Sequence, residues 1–372
     1  MKILVVHPSV ELYGADKILL YILGFLTEEN EVTVLLPKGG VLADCIRESF
    51  PTVSLVISKD IPIVHSKMGF AGFMKLPRLL RNARKLFSHL DFDCVYCNTL
   101  ATVLFLYSQR AKIKIIHVHE IIGNRILNFG FSVLIRLRTK NVICVSAHVK
   151  DGLLFSSPYM VVHNGIPNLF RNAERCGAPS GTVRFAFPGR YMPKKGQWFL
   201  IDALKCVPDE LLHNAEFYLY GSPPPASPEF EEQLKKAISD AGLERSVFLR
   251  GFQQDIAEVY ANADVVLVPS MMSDPFPTTV LEAMMFSKPV ITTDNGGASE
   301  IVKDGFGILV HPGDVAAFAK AIVYFLENKD VAITMGIVAR MEYESKLTLE
   351  AFKKNFLAFL SKANLIIQGA SL

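Results

Sequence analysis

The chain has 372 residues, of which 50% are apolar and 20% are charged, and its formal net charge is +3. This composition excludes a disordered, collagen-like or disulfide-stapled chain, and the charge is too small to predict nucleic-acid binding. Since a domain typically has ~150 residues, the length is typical of about two domains. The six cysteines are scattered, mostly in apolar runs, so we expect reduced, buried thiols in a reducing compartment.

No segment predicts a membrane-spanning helix, which needs ~20 mostly apolar residues. The uncharged run at residues 94–109 is interrupted by Asn98, Thr99 and Thr102. The apolar part of residues 1–8 is shorter than the ~7–15 residues of a signal-peptide core, so it favours a first buried strand.

Short apolar runs alternate with amphipathic stretches along the chain. Strands are predicted at residues 3–7, 32–36, 53–57, 94–97, 113–118, 142–145, 184–188, 216–220, 247–249, 264–268, 289–292 and 308–310. Among the helices predicted between them are residues 197–205, 229–241, 315–327 and 349–362. Continuous Val, Ile, Leu and Phe runs separated by helices indicate an α/β chain with parallel sheets buried on both faces.

The alternation pauses once, between Asn164 and Thr182, in a stretch rich in Gly and Pro. We interpret this stretch as the linker between two doubly wound, Rossmann-like domains, residues 1–165 and 166–348. Such sheets bind ligands beyond the carboxyl ends of their strands, and two domains facing across a cleft would hold a ligand between them. The residues that follow the strands are therefore the candidate site.

Two glycine-containing turns lie between a predicted strand and a helix. Taken alone, Gly14 is more typical of an ordinary turn than of a ligand site. Its loop lacks the three glycines of the dinucleotide fingerprint, which disfavours a dehydrogenase. Residues 189–196 (GRYMPKKG) place Arg190 and Lys195 between two glycines. These cations suit a diphosphate, and a solvated basic loop is the alternative.

Residues 269–284 hold the densest group of candidates. Thr279 and Glu282 have the spacing of a capping box, and a helix N-terminus can also hold phosphate. Asp274 lies earlier in the same loop. Carboxylates accept hydrogen bonds from hydroxyls and repel phosphate, so these two acids suit two sets of sugar hydroxyls. Gly296 and Gly297 form another turn before a helix.

Two patterns raise the possibility of a metal site. His117 and His119 alternate at the end of a strand, but no third ligand has convincing spacing, so we favour His119 as a donor to a sugar hydroxyl or phosphate. Asp91 and Asp93 form a D-x-D sequence. They precede a strand, at the end opposite to ligand sites, and we interpret them as strand-entry residues.

Taken in order, these segments resemble glycosyltransferase family 4, a group of retaining transferases that have the two-domain GT-B fold and use nucleotide sugars. The motifs that carry the resemblance are residues 162–166 (VHNGI), the basic loop 189–196, an acid followed after seven residues by Glu282, and residues 296–302 (GGASEIV). The resemblance also implies that the C-terminal helix, within residues 349–372, crosses back to the first, acceptor-binding domain.

The resemblance implies a role for each candidate. Arg190 and Lys195 would hold the diphosphate, Asp274 the donor sugar and Glu282 the ribose hydroxyls. His119 would contact the sugar near the reacting carbon. The residues lining the sugar and phosphate pocket would be Phe276, Pro277, Thr278 and Thr279.

Three positions depart from the family pattern. Asp274 replaces the usual Glu, and Pro277, which has no N–H group, stands where Gly is common. Gly14, which would let the first domain close on the diphosphate, follows Tyr13 rather than a second glycine. These departures bear on the donor sugar more than on the reaction.

The resemblance implies transfer of a hexose-type sugar from a UDP- or GDP-sugar, without a metal or other cofactor, to a lipid-linked or polysaccharide acceptor in cell-surface glycan synthesis. The alternatives are a sugar-nucleotide epimerase of the same architecture and a catalytically silent binding protein. Residues 67–85 mix cations with apolar residues, which suits an anionic membrane surface, and an ordinary solvated helix face is the alternative. We therefore expect a cytoplasmic enzyme that is peripheral on the inner face of the membrane and has no nucleic-acid partner.

Overall fold

The computed structural model describes residues 1–12, 14–59, 61–64, 77–78, 80–82, 84–85, 91–108, 110–155, 158–170, 181–303 and 305–365. The chain divides into two compact units, one formed by Met1–Asn164 with Leu349–Leu372 and the other by Gly165–Thr348. This division falls one residue from the boundary drawn at the Gly- and Pro-rich linker.

The first unit is built on a seven-stranded parallel sheet of order β3-β2-β1-β4-β5-β6-β7. Its strands are β1 Lys2–Val6, β2 Glu31–Leu36, β3 Ser54–Ile57, β4 Cys94–Asn98, β5 Ile113–Val118, β6 Asn141–Cys144 and β7 Met160–Val161. Its α-helices include Gly14–Leu26, Val41–Ser49, Phe105–Ser108, Arg125–Arg136 and Ala147–Gly152. An apolar run predicts each of these strands except β7, whose two residues are too few to form a pattern.

The second unit has a six-stranded parallel sheet of order β10-β9-β8-β11-β12-β13. Its strands are β8 Val183–Pro188, β9 Ala215–Tyr220, β10 Val247–Gly251, β11 Val265–Val268, β12 Val290–Thr293 and β13 Gly307–Val310. Its α-helices are Gln197–Leu204, Asp209–Leu212, Glu229–Asp240, Ile256–Ala261, Thr278–Met285, Ala298–Ile301, Val315–Glu327 and Lys329–Lys346. Apolar side chains between sheet and helices form its core.

The strand order places a topological switch point in each sheet. In both units the first strand lies inside the sheet, the next two strands extend to one side of it, and the fourth strand pairs on its other side. Ligands of doubly wound sheets bind beyond the strands that flank such a point. These strands are β1 and β4 in the first unit, and β8 and β11 in the second.

The C-terminal helix, Leu349–Lys362, belongs to the first unit, as predicted. Phe352 and Phe356 are at most 1% exposed and lie in the core of that unit. The ring centroids of Phe352 and Phe25 are 5.5 Å apart. Burying such a side chain contributes about 1.5–3 kcal/mol, so two phenylalanines anchor the helix strongly.

The cysteines that the structure describes are all free, with Cys94, Cys97 and Cys144 buried and Cys206 exposed. Burial raises the pKa of the Cys97 and Cys144 thiols to about 12, so both stay protonated near neutral pH. No helix in the described part of the chain has the length and apolar character needed to cross a bilayer. Most of the predicted membrane-binding stretch, residues 67–85, lies outside the described residues.

Candidate functional site

The basic loop after β8 is held in place by a buried glutamine. The side chain of Gln197 donates from Nε2 to the carbonyl oxygen of Arg190 at 2.8 Å. Its Oε1 accepts from the backbone N–H of Met192 at 3.3 Å. Gln197 is fully buried, whereas the Lys195 side chain is 33% exposed. The loop therefore has a fixed backbone and a cation that solvent or a ligand can reach.

Gly196 lets this loop approach the loop that follows β11. Its φ is +94°, and a Cβ added there would lie 2.0 Å from the carbonyl oxygen of Pro269. Only glycine fits both the left-handed backbone and this contact. The backbone N–H of Met271 also donates to the carbonyl oxygen of Lys194 at 2.9 Å. The loops at the two strands of the switch point thus form one surface.

Lys195 and Asp274, predicted from separate motifs, form an ion pair on that surface. The Lys195 Nζ lies 3.2 Å from Asp274 Oδ2, and the two side chains are 33% and 24% exposed. A partly exposed pair is accessible to a ligand and gains only modest energy from its own attraction. Phosphate oxygens can therefore compete for the lysine, and sugar hydroxyls for the aspartate.

The predicted Gly296–Gly297 turn supports the Asp274 loop. The backbone N–H of Gly297 donates to the carbonyl oxygen of Asp274 at 2.8 Å. Added Cβ atoms at Gly296 and Gly297 would lie 2.3 Å and 2.1 Å from the carbonyl oxygens of Asp274 and Pro275. The two glycines are thus required by a close approach between two backbones, which sequence alone does not indicate.

The capping box predicted at Thr279 and Glu282 is wrong. The helix Thr278–Met285 begins two residues earlier than this capping box requires, with Pro277 as its N-cap and no side-chain cap hydrogen bond. Pro277 has φ −70° and an extended ψ, a geometry that its ring favours and that starts the helix before Thr279. The shift places Thr279 inside the helix.

Glu282 instead bonds to a buried tyrosine. Its Oε2 accepts a hydrogen bond from Tyr260 Oη at 2.7 Å, and the Tyr260 ring stacks on Phe286 with centroids 5.2 Å apart. Burial, together with the charge of Glu282, raises the pKa of Tyr260 well above its usual value of 10. Tyr260 therefore remains a hydrogen-bond donor that orients the carboxylate.

Tyr260 was missed in the sequence because it is one aromatic residue in an apolar helix, Ile256–Ala261. Of the predicted pocket-lining residues, Phe276 and Pro277 are buried. Thr278 and Thr279 are half-buried at the start of their helix.

The first unit has a hydrogen-bonded chain of polar side chains at its switch point. The Nε2 of His7 lies 2.7 Å from Asp16 Oδ1, and the Nδ1 of His7 lies 2.9 Å from Asn98 Nδ2. The Oδ1 of Asn98 lies 3.0 Å from His119 Nε2. The Nδ2 of Asn98 donates to the Nδ1 of His7, and the Oδ1 of Asn98 accepts from the Nε2 of His119. His7 and His119 therefore both carry their proton on Nε2, and the Nδ1 of His119 has a lone pair.

His119 is held neutral by its surroundings. Burial is the main cause that lowers the pKa of His119 to about 3, His7 adds to the lowering, and Asp16 opposes it. Its ring centroid lies 3.9 Å from that of His117. His117 is fully buried, and its Nδ1 lies 2.7 Å from Tyr96 Oη, so it is a core residue. A neutral His119 can exchange hydrogen bonds with a hydroxyl but adds no positive charge.

The remaining predictions concern Gly14 and the acidic pair. Gly14 begins the helix Gly14–Leu26, and a Cβ added to it would meet no atom of the described residues within 4 Å. Asp93 Oδ2 accepts from the backbone N–H of Lys2 at 2.9 Å, at the amino ends of β1 and β4, which agrees with its interpretation as a strand-entry residue. Among the described residues, no three His, Cys, Asp or Glu side chains are grouped as metal ligands.

Comparison with known sequences relates the second unit to sugar transfer. Residues 171–348 match the family model described as glycosyl transferases group 1. A D-inositol 3-phosphate glycosyltransferase of Streptomyces scabiei is 30% identical over 200 residues, which cover 50% of this chain and 44% of that protein. The human alpha-1,3/1,6-mannosyltransferase ALG2 is 31% identical over 138 residues, 36% of this chain and 32% of that protein. The matches thus span less than half the length of either relative.

Solved structures extend the comparison to the whole chain. Anabaena Alr3699/HepE, crystallised with UDP, has a TM-score of 0.80 at 22% identity over 97% of this chain and 100% of that one. The apo lipopolysaccharide outer core galactosyltransferase WaaB has a TM-score of 0.73 at 16% identity over 97% of this chain and 99% of that one. These likenesses confirm the predicted fold class of two Rossmann-like domains.

Proposed function

We propose that this chain, whose residues 171–348 match glycosyl transferases group 1, moves a hexose-type sugar from a nucleoside diphosphate sugar to an acceptor with retention of configuration. The observation that carries the proposal is the 3.2 Å pair of Lys195 and Asp274 between the loops after β8 and β11. A cation suits the diphosphate and an acid suits the sugar hydroxyls, and they meet where such sheets bind ligands.

Each part of the donor has a partner in the second unit. Arg190 and Lys195 hold the diphosphate, while Glu282, oriented by Tyr260, accepts hydrogen bonds from the ribose hydroxyls. On donor binding, the Lys195 ammonium exchanges Asp274 for a phosphate oxygen. The released carboxylate of Asp274 then accepts hydrogen bonds from the sugar.

The chemical step develops negative charge on the departing nucleoside diphosphate as the bond between sugar and oxygen breaks. Arg190 and Lys195 stabilise that charge without a metal ion. Retention follows if the acceptor hydroxyl attacks from the face that the diphosphate leaves, its proton passing to a phosphate oxygen. In this scheme Asp274 binds the sugar and forms no covalent intermediate.

The structural relatives favour a donor and a class of acceptor. HepE was crystallised with UDP and with UDP-glucose, which favours a UDP-sugar over a GDP-sugar for this chain. WaaB acts in the outer core of lipopolysaccharide. We therefore assign a lipid-linked or polysaccharide acceptor in cell-surface glycan synthesis, reached from the cytoplasmic face of the membrane, and no nucleic-acid partner.

A panel of UDP- and GDP-sugars tests donor binding through the thermal shift of the full chain. We expect one donor to raise the melting temperature, and Glu282→Gln to weaken its binding about tenfold, because one acceptor of the ribose hydroxyls is lost. Glu258→Gln is the matched control, since Glu258 is an exposed acid on the helix Ile256–Ala261. Equal effects of the two variants would contradict the ribose assignment.

Product analysis distinguishes transfer from the alternative functions. With the donor and a polyprenyl-linked sugar as acceptor, we expect a nucleoside diphosphate and a longer glycolipid, with equal rates in the presence and absence of EDTA. Release of an altered free sugar without an acceptor would indicate an epimerase. Donor binding without any turnover across a panel of acceptors would indicate a binding protein.

A further inference from the structure

The helix Arg125–Arg136 of the first unit presents apolar side chains to solvent. Ile126 is 83% exposed, Phe129 is 55% exposed, and Leu137 at the C-cap is 68% exposed. These positions recur with the helical period and so lie on one side, while Phe131 on the opposite side is buried. A helix that is apolar on both sides is normally covered on both.

The turn after the next helix adds two apolar side chains. Leu154 is 45% exposed and Phe155 is 51% exposed. The backbone N–H of Leu154 donates to Ser132 Oγ at 3.0 Å, which ties the turn to the helix Arg125–Arg136. Phe155 has φ +61°, a left-handed conformation that bulky residues rarely adopt. We call Ile126, Phe129, Leu137, Leu154 and Phe155 the apolar stripe.

The segment that carries the apolar stripe has a net positive charge. Residues 121–155 contain five Lys or Arg and one acid, Asp151. A pocket of about 310 Å³ includes Leu137 of the stripe in its wall. Its other walls include four cations and no described acid, and these cations are Lys112, Lys114, Arg138 and Lys140. We call these four residues and their cavity the basic pocket.

We propose that the apolar stripe and the basic pocket together bind the surface of a bilayer that contains anionic phospholipids. The helix Arg125–Arg136 would lie along the bilayer, with the stripe at the boundary between headgroups and acyl chains. The basic pocket would receive lipid phosphates, because juxtaposed cations are attracted to an anionic leaflet. The stripe and the pocket include none of residues 67–85, and both belong to the first unit.

Sedimentation of the full chain with vesicles tests the proposal without any donor or acceptor. We expect binding to mixed phosphatidylglycerol and phosphatidylcholine at low salt, and little binding to phosphatidylcholine alone. The double variant Ile126→Asp with Phe129→Asp should lower the partition coefficient by at least about tenfold, since both side chains lose their apolar burial. The double variant Lys112→Glu with Lys140→Glu should reduce binding only to the anionic vesicles.

The matched control is the double variant Ile333→Asp with Ile337→Asp. These residues are 60% and 55% exposed on the helix Lys329–Lys346 of the second unit. The control should bind vesicles as the natural chain does, and equal thermal midpoints should show that all variants fold. Absent binding to anionic vesicles, or equal binding by the stripe variant, would overturn the proposal.

Two further results bear on what covers the stripe. A dimer in light scattering that dissociates in the Ile126→Asp and Phe129→Asp variant would show that a second copy occupies it, and would also overturn the proposal. Loss of vesicle binding with full retention of sugar transfer to a soluble acceptor would support it. Because donor binding is not needed, failure here leaves the proposed transferase function untouched.

Discussion

The His7 imidazole donates from Nε2 to the Asp16 carboxylate at 2.7 Å, and both side chains are at most 6% exposed. His7 follows β1, and Asp16 lies in the first turn of the helix Gly14–Leu26, so the bond ties the central strand to the helix that follows it. Through Asn98 the same chain reaches His119. A buried acid thus determines which nitrogen of each histidine carries the proton.

Asp16→Ala should lower the free energy of unfolding by about 1–3 kcal/mol, because the His7 N–H loses its acceptor inside the protein. Urea unfolding measures the change. Asp44→Ala is the matched control: Asp44 also lies in the first turn of a helix but is 63% exposed, so its loss should cost at most ~1 kcal/mol. Asp16→Asn, which keeps an acceptor oxygen, should recover part of the loss, and equal costs for Asp16→Ala and Asp44→Ala would contradict this account.

Lys195→Ala should lower kcat by about 10²–10³-fold and change KM far less, because its charge is needed most as the diphosphate departs. Steady-state kinetics with the identified donor measures both constants. Lys194→Ala is the control, since Lys194 is the exposed neighbour in the same loop and keeps its backbone bond to Met271. A raised KM with unchanged kcat for Lys195→Ala would show that the lysine binds donor and transition state equally.

Stability should fall in acid because of His119. Its pKa is about 3 in the folded chain, below the ordinary value of 6.5, so between these limits only the unfolded chain takes up the proton. Stability is therefore complete above pH 6.5 and decreases below it by about 1.4 kcal/mol per pH unit for each such group. Burial lowers the pKa of His117 in the same direction, which adds to the slope.

Urea unfolding of the natural chain and of His119→Gln between pH 7 and pH 4 measures the contribution of His119. We expect the variant to lose about 1.4 kcal/mol per pH unit from the slope well below pH 6.5. His213→Gln removes an exposed histidine and serves as the control. Identical slopes for His119→Gln and the natural chain would refute a low pKa for His119.

The fold was largely predictable because parallel strands buried on both faces must be apolar throughout. Short runs such as residues 265–268 therefore stand out in the sequence, and only the two-residue β7 escapes. The loop motifs could also be recognised in the sequence, since Lys195 and Asp274 lie in segments that hold several candidate ligand-binding residues close together.

The partners of the site residues were not predictable. Gln197, Tyr260 and Asn98 are single polar or aromatic residues within apolar elements. Their partners lie on a neighbouring loop, on a neighbouring helix and after a neighbouring strand, respectively. Nothing local distinguishes them from ordinary core residues. The wrong capping box has a related cause, because Thr278, Thr279 and Pro277 all suit a helix start, and only the path of the loop selects Pro277.

Gly196→Ala should lower the free energy of unfolding by about 2 kcal/mol or more, because an alanine there is strained at φ +94° and its Cβ would overlap the carbonyl oxygen of Pro269. Gly14→Ala is the informative contrast, since in the part of the chain that the structure describes no atom lies within 4 Å of its added Cβ. Within the helix Gly14–Leu26 that alanine should leave stability unchanged or raise it by up to ~1 kcal/mol.

Gly196→Ala and Gly14→Ala should therefore differ in their effects when stability and donor affinity are both measured. If Gly14 allows the donor diphosphate to approach the backbone, Gly14→Ala raises KM for the donor while its urea midpoint stays the same or increases. The space around Gly14 would then be reserved for the ligand, because no residue that the structure describes fills it. Full activity in a stable Gly14→Ala protein would instead make Gly14 an ordinary residue at a helix start.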